Sequence, residues 1–165
     1  SVQLKTRAGC EVIHWAQCDE AAIAGSEMTR VADERSMLLA ARERLRCCGE
    51  TEIVGHNVRR FDLPRLRFAF IKHGLMLPSC LANDDHPVYD TMARWGRFTV
   101  DDRPFISLSE CLTACGLPNH KEQVSGEDVG KLWLSGDHKL LLTYAVADVL
   151  AEEALFLRMT DQVGE

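Results

Sequence analysis

Two short runs near the N-terminus, Val2 to Leu4 and Glu11 to Trp15, carry β-favouring residues on either side of a turn signal at Ala8-Gly9. They predict a hairpin. From Asp33 the period changes: Met37, Leu38, Ala41 and Leu45 recur at helical spacing behind a favoured N-cap residue, with Gly49 suited to the exit. Glu52 to Val54 then reads as a short apolar strand running into Gly55-His56-Asn57. A new helix opens at Asp62-Leu63-Pro64, with Asp as cap and Pro in the first turn, and closes at Gly74. Strand, loop and helix in that order make a βα unit. Beyond a loop rich in Asn, Asp and Pro, Val88-Tyr89-Asp90-Thr91-Met92 reads as one further short element. Ser107-Leu108-Ser109-Glu110 has capping-box spacing for a helix ending at Gly116, and a helical turn follows near Val129 to Leu134. Asp137 caps the longest helix, about His138 to Met159, where Leu141, Tyr144, Ala145, Asp148, Val149, Glu152 and Leu155 lie on neighbouring turns. Strands first, then alternation, then a helical C-terminal half predict an α/β fold with a mixed sheet flanked by helices. With no repeat and no linker-like stretch, residues 1–165 read as a single domain.

Composition narrows this picture. A chain of 165 residues can bury on the order of 70% of its unfolded surface around one core. With 46% hydrophobic and 27% charged residues, disordered, collagen-like and low-complexity classes are excluded. No apolar run has bilayer-spanning length, and SVQLKTRAG is not a signal peptide, so a cytoplasmic protein without a membrane partner is expected. Seven cysteines, two of them adjacent at Cys47 and Cys48, fit reduced thiols better than a disulfide framework. A net charge of −6 argues against coating nucleic acid through bulk positive charge. Locally the sign reverses, because Arg59, Arg60, Arg65, Arg67 and Lys72 face a single acid, Asp62, between Val58 and His73. Such a cluster either receives phosphates or is a solvated helix face.

Two acids have unusual neighbours. Asp62 follows Phe61 in GHNVRRFDLPRL, where the helix N-terminus favours an ionised carboxylate. Asp148 lies in LLTYAVADVL with Tyr144 four residues earlier, which puts the two on one helix face a turn apart. Each alone has a plain alternative: Asp62 as an N-cap, Asp148 as a rim residue, Tyr144 as a core aromatic.

Together with VYDTM and SLSECLTACGLP, in that order from about Val2 to Arg158, these segments resemble the DEDDy group of 3'-5' exonucleases. The closer likeness is to predicted exonucleases similar to the proofreading domain of family B DNA polymerases. The family's Asn, three residues, Phe-Asp motif corresponds to Asn57, Phe61 and Asp62, and its Tyr, three residues, Asp motif to Tyr144 and Asp148. The resemblance implies a ribonuclease H-like fold and hydrolysis of phosphodiester bonds at single-stranded or frayed DNA 3' ends, with RNA as a possible substrate. It implies two Mg²⁺ or Mn²⁺ ions, held by Asp62 (directly or through bound water) and Asp148 because hard cations take oxygen ligands. Tyr144 would orient the attacking water, a positioning task suited to a hydroxyl of pKa about 10. Asn57 and Phe61 would line the slot for the terminal nucleotide, with His56, Arg59 and Arg60 beside it.

One departure matters. The family's first motif, Asp-x-Glu on a strand, occurs nowhere here; Glu11, Asp19 and Glu20 are the nearest acids of the first segment, and Glu50-Thr51-Glu52 falls on the wrong side of the first helix. The hairpin resembles the second and third strands of the family's sheet, so the expectation is an N-terminally truncated domain whose missing strand lies upstream of Ser1. This chain alone is then expected to bind metal weakly and to cleave poorly or not at all. An alternative is an exonuclease-like module that binds nucleic acid or protein without cleaving.

Other signals are weaker. Cys111, Cys115 and His120 lack the paired spacing of a zinc site, so buried thiols are expected. Asp90 either supports the site or bonds to nearby backbone, and Lys121 either reaches substrate or is a solvated loop lysine. No Gly-rich phosphate loop is present, which removes P-loop and classical dinucleotide-binding readings.

Overall fold

The computed structural model describes residues 2–6, 9–14, 23, 26–46, 51–98, 105–119 and 128–161. The hairpin forms from β1 (Val2–Thr6) and β2 (Gly9–His14), antiparallel with Thr6 opposite Gly9, so the strands run closer to the turn than predicted. A third strand, β3 (Ser26–Arg30), pairs parallel to β2 and makes the sheet mixed. The sequence reading missed it because SEMTR carries only one large apolar residue and its face is merely half-buried.

Asp33 caps α1 (Glu34–Arg46) as expected, accepting from the Ser36 amide at 2.7 Å. The predicted stripe Met37, Leu38, Ala41 and Leu45 is its buried face; Gly49 lies outside the described residues, as does Trp15. Strand β2 divides its side chains between two layers. Ile13 joins α1, while Cys10 and Val12 join Leu142 and Val146 of the last helix on the other side. That division follows from the two-residue period of a strand.

The βα unit consists of β4 (Ile53–Gly55), a loop, and α2 (Asp62–Lys72). Leu63 and Phe70, seven residues apart, hold α2 on the α1 side of the core; burying a side chain like Phe70 stabilises by about 2–3 kcal/mol. Gly74 ends the helix with φ +62, and Leu75 N donates to Phe70 O while Gly74 N donates to Ile71 O. These bonds satisfy carbonyls that the helix leaves open. Two polar contacts tie the end of α2 to α1: Glu34 accepts from Lys72 Nζ and His73 Nε2, each at 2.8 Å. The Lys72 bond first, then that from His73, holds the Glu34 carboxyl below its ordinary value.

The Asn/Asp/Pro-rich stretch contains a turn of helix not foreseen, α3 (Ser79–Ala82), pinned by buried Cys80 and Leu81. The VYDTM segment divides: β5 (Val88–Asp90) pairs parallel with β4, and α4 (Thr91–Trp95) starts at the next residue. Then α5 (Leu108–Ala114) carries the expected capping box, with Ser107 Oγ accepting from Glu110 N at 3.2 Å and Ser107 N donating to Glu110 Oε2 at 2.9 Å. Cys111 is buried and Cys115 partly so, as thiols among apolar neighbours. His120 and Lys121 lie outside the described residues.

Helices α6 (Val129–Ser135) and α7 (His138–Thr160) complete the order. Asp137 caps α7, accepting from Leu140 N at 3.2 Å. This long helix packs against β1, β4, α4, α5 and α6. Its most buried positions are Leu142 and Val146 toward the sheet, then Ala151, Leu155 and Met159 toward α4 and α5. Of the residues read onto neighbouring turns, Leu155 belongs to this buried stripe, and Tyr144 and Asp148 lie beside it, half-buried. Among the described residues no helix is long and apolar enough to cross a membrane.

Candidate active site

The site is built at the carboxyl ends of the parallel pair β4 and β5, where Gly55 lies opposite Asp90. Gly55 is buried, and a Cβ placed on it would sit 2.8 Å from Cβ of Val58. Only a residue without a side chain lets the chain fold back so tightly. The loop that follows carries His56, Asn57, Arg59, Arg60 and Phe61 within one compact turn, closed by Phe61 N donating to Asn57 O at 3.0 Å.

Asp90 holds this loop. Its Oδ1 accepts from the amides of Asn57 (3.0 Å), Met92 (3.1 Å) and Ala93 (3.3 Å), and its Oδ2 from the amide of Arg59 (3.1 Å). The residue is 4% exposed. Four amides and the α4 N-terminus occupy a buried carboxylate, so Asp90 is a bracket between β5 and the loop, as the backbone-bonding alternative held.

Asn57 takes φ +60, a left-handed conformation that Asn tolerates better than most residues, and its Oδ1 is buried without a hydrogen-bond partner among the described residues. Backbone strain and an unmet acceptor at the same residue are features that cluster at functional sites. The His56 ring is engaged inside the protein: its Nδ1 meets Thr91 Oγ1 and its Nε2 meets Ile106 O, both at 2.9 Å, which anchors the loop.

Asp62 is the first residue of α2 and not its cap; Phe61 occupies the cap position without a side-chain bond. The carboxylate is thus left over from helix capping. It is exposed on one side and packed on the other, and its pKa is raised, first by desolvation and then by the fields of Asp90 and Asp148, against lowering by its own amide and by Arg65. The Asp148 carboxylate on α7, remote in sequence, is the smallest of the contributions that raise it. Phe61 is 45% exposed, with the Arg65 guanidinium 3.5 Å from its ring centroid, a cation–π contact.

The basic cluster is thinner than its count. Arg67 pairs with Asp84 at 3.1 Å and donates to Leu81 O, and Lys72 pairs with Glu34. Arg59, Arg60 and Arg65, at the Asp62 end, face no acid in a salt bridge among the described residues; Arg59 Nη2 donates only to Val88 O.

The donor chemistry fits a hard divalent cation, since the carboxylates of Asp62 and Asp148 offer the oxygen ligands such an ion takes. It falls short in number: among the described residues no group of three His, Cys, Asp or Glu side chains is close enough to hold a metal ion.

A family model described as a predicted 3'-5' exonuclease related to the exonuclease domain of PolB matches residues 12–165, all but the first eleven. No curated protein matches the chain. The α/β architecture agrees with that match, and the chain belongs to this family of predicted 3'-5' exonucleases.

Proposed function

We propose that this domain hydrolyses phosphodiester bonds at DNA 3' ends, with Asp62 and Asp148 as ligands of a two-metal Mg²⁺ or Mn²⁺ site. The observation that carries the reading is the loop ahead of Asp62, where Asn57 holds a left-handed backbone and a buried Oδ1 without a partner among the described residues, and the charge of Asp148, remote in sequence, adds to the raised pKa of Asp62. A bound pair of such ions supplies a water acidic enough to attack and neutralises charge developing on the phosphate. Around it, Tyr144, one helical turn before Asp148, orients the attacking water through its hydroxyl. Asn57 offers its unmet carbonyl oxygen to the terminal nucleotide, and Phe61 gives an apolar surface for its sugar or base. Arg59 and Arg60 receive the phosphates, while His56 and Asp90 keep the loop in place. Further ligands come from water, substrate oxygens or additional carboxylates.

The small donor set favours one second reading, a module of the same fold that binds single strands without cutting them. Incubating the protein with 5'-labelled single-stranded DNA in Mg²⁺ or Mn²⁺ separates the two. Stepwise shortening from the 3' end, abolished by Asp148→Ala and lowered by Tyr144→Phe at unchanged metal affinity, supports the nuclease. Binding without shortening supports the module, and full activity in Asp148→Ala contradicts the assignment of Asp148. Competition between DNA and RNA with 3' overhangs settles the preferred substrate.

A further inference from the structure

The outward face of α2 is unusual for a helix that ends on the surface. Phe61, Arg65, Phe68 and Lys72 recur at intervals of four, three and four residues, so they share one face. Phe68 is 66% exposed, although Phe ordinarily belongs inside. Pro64, Arg65, Phe68, Ala69 and Lys72 line an open groove of about 330 Å³ together with Glu34 of α1. Aromatic and cationic groups thus alternate along a path that begins at Asp62.

We propose that this face is a track for single-stranded nucleic acid, carrying the strand upstream of the 3' end away from the site, with Phe68 as a second stacking platform beyond Phe61. The proposal rests on the nucleic-acid substrate proposed above. Phe61 and Phe68 are seven residues apart, about 10 Å along the helix axis, close to three stacked nucleotides at ~3.4 Å each. Every base has a face to stack on an aromatic ring, which suits a path that does not read sequence. Charge complements this at the near end, where Arg60 and Arg65 stand beside Asp62. At the far end Glu34 shares Lys72, so the positive field weakens with distance from the site. The expected contact is therefore stacking at Phe68 with phosphates held nearer Arg65.

Fluorescence anisotropy with oligothymidylates of three and twelve nucleotides, in EDTA so that cleavage does not intervene, tests this on the whole chain. The track predicts that the 12-mer binds more tightly than the 3-mer and that Phe68→Ala removes about tenfold of 12-mer affinity, the scale of one lost stacking contact. Phe68→Trp is expected to restore it. Because Phe68 is largely exposed, its truncation leaves the core intact, which circular dichroism checks. Equal 12-mer affinities in wild type and Phe68→Ala overturn the track while leaving the nuclease reading untouched. Absence of binding to either oligonucleotide in EDTA overturns the track, and the nuclease reading then stands or falls on 3'-end shortening in Mg²⁺ or Mn²⁺. If Phe68→Ala instead abolishes self-association in sedimentation and leaves DNA binding unchanged, the face belongs to a second copy of the chain and the track is rejected.

Discussion

At the residue scale, two aspartates that look alike in sequence have opposite physical characters. Asp90 is buried and its charge is met by four amides; the charge of Asp62 is opposed first by desolvation and, less, by two other carboxylates. For Asp62 the folded pKa lies above the ordinary value of 3.8, so the folded state holds the proton more tightly. Stability then falls as pH rises from about 3.8 through the raised value, and at neutral pH the ionised group weakens the fold. Asp62→Asn should therefore raise the melting temperature at pH 7, with the gain shrinking as pH falls through the raised value and absent below about pH 3.8. Asp90→Asn should do the reverse, costing about 2–4 kcal/mol in urea denaturation, because one acceptor oxygen is lost and a donor is turned toward amides. Asn57 allows a similar separation. Asn57→Gly keeps the left-handed backbone and tests the side chain's part in binding alone, whereas Asn57→Ala adds about 1 kcal/mol of strain. If the two variants bind single-stranded DNA as tightly as wild type, the side chain takes no part.

At the scale of elements, the site depends on how sharply the chain turns between β4 and α2. Two glycines bound that unit for different reasons. Gly55 has no room for a Cβ, while Gly74 has room but a left-handed backbone. Gly55→Ala should destabilise by about 1–3 kcal/mol and also displace the loop bearing Asn57 and Phe61, lowering nuclease activity at temperatures where the protein remains folded. Gly74→Ala should cost about 1 kcal/mol and leave activity intact. Equal activity losses in the two would show that the loop's geometry is not the sensitive part. The capped helices were legible in the sequence because Asp33, Ser107 and Asp137 act locally, through bonds to amides three residues on. Strand β3 and helix α3 were not, since each is short and owes its conformation to partners distant in the chain. The capping of α2 was misjudged by one residue: Asp62 has the chemistry of a cap but stands inside the helix, which leaves its carboxylate for other work.

At the scale of the whole molecule, α7 brings remote residues together. It packs against β1 and β4 while its two ends enter different apolar clusters, so its register is fixed by Leu142 and Val146 at one end and by Leu155 and Met159 at the other. Tyr144 and Asp148 flank that buried stripe, a placement that periodicity alone did not reveal because nearly every face of α7 carries apolar residues. Charge was overstated in the sequence for a related reason. Asp84 and Glu34, which neutralise Arg67 and Lys72, come from other elements and reach the cluster only through folding. A double-mutant cycle on Mn²⁺ affinity, read by water-proton relaxation in wild type, Asp62→Asn, Asp148→Asn and the double variant, addresses the meeting of α2 and α7 directly. If both carboxylates grip one cation, each single variant should lose nearly as much affinity as the double. Losses that simply add, or a single variant that binds Mn²⁺ like wild type, would contradict a shared ion.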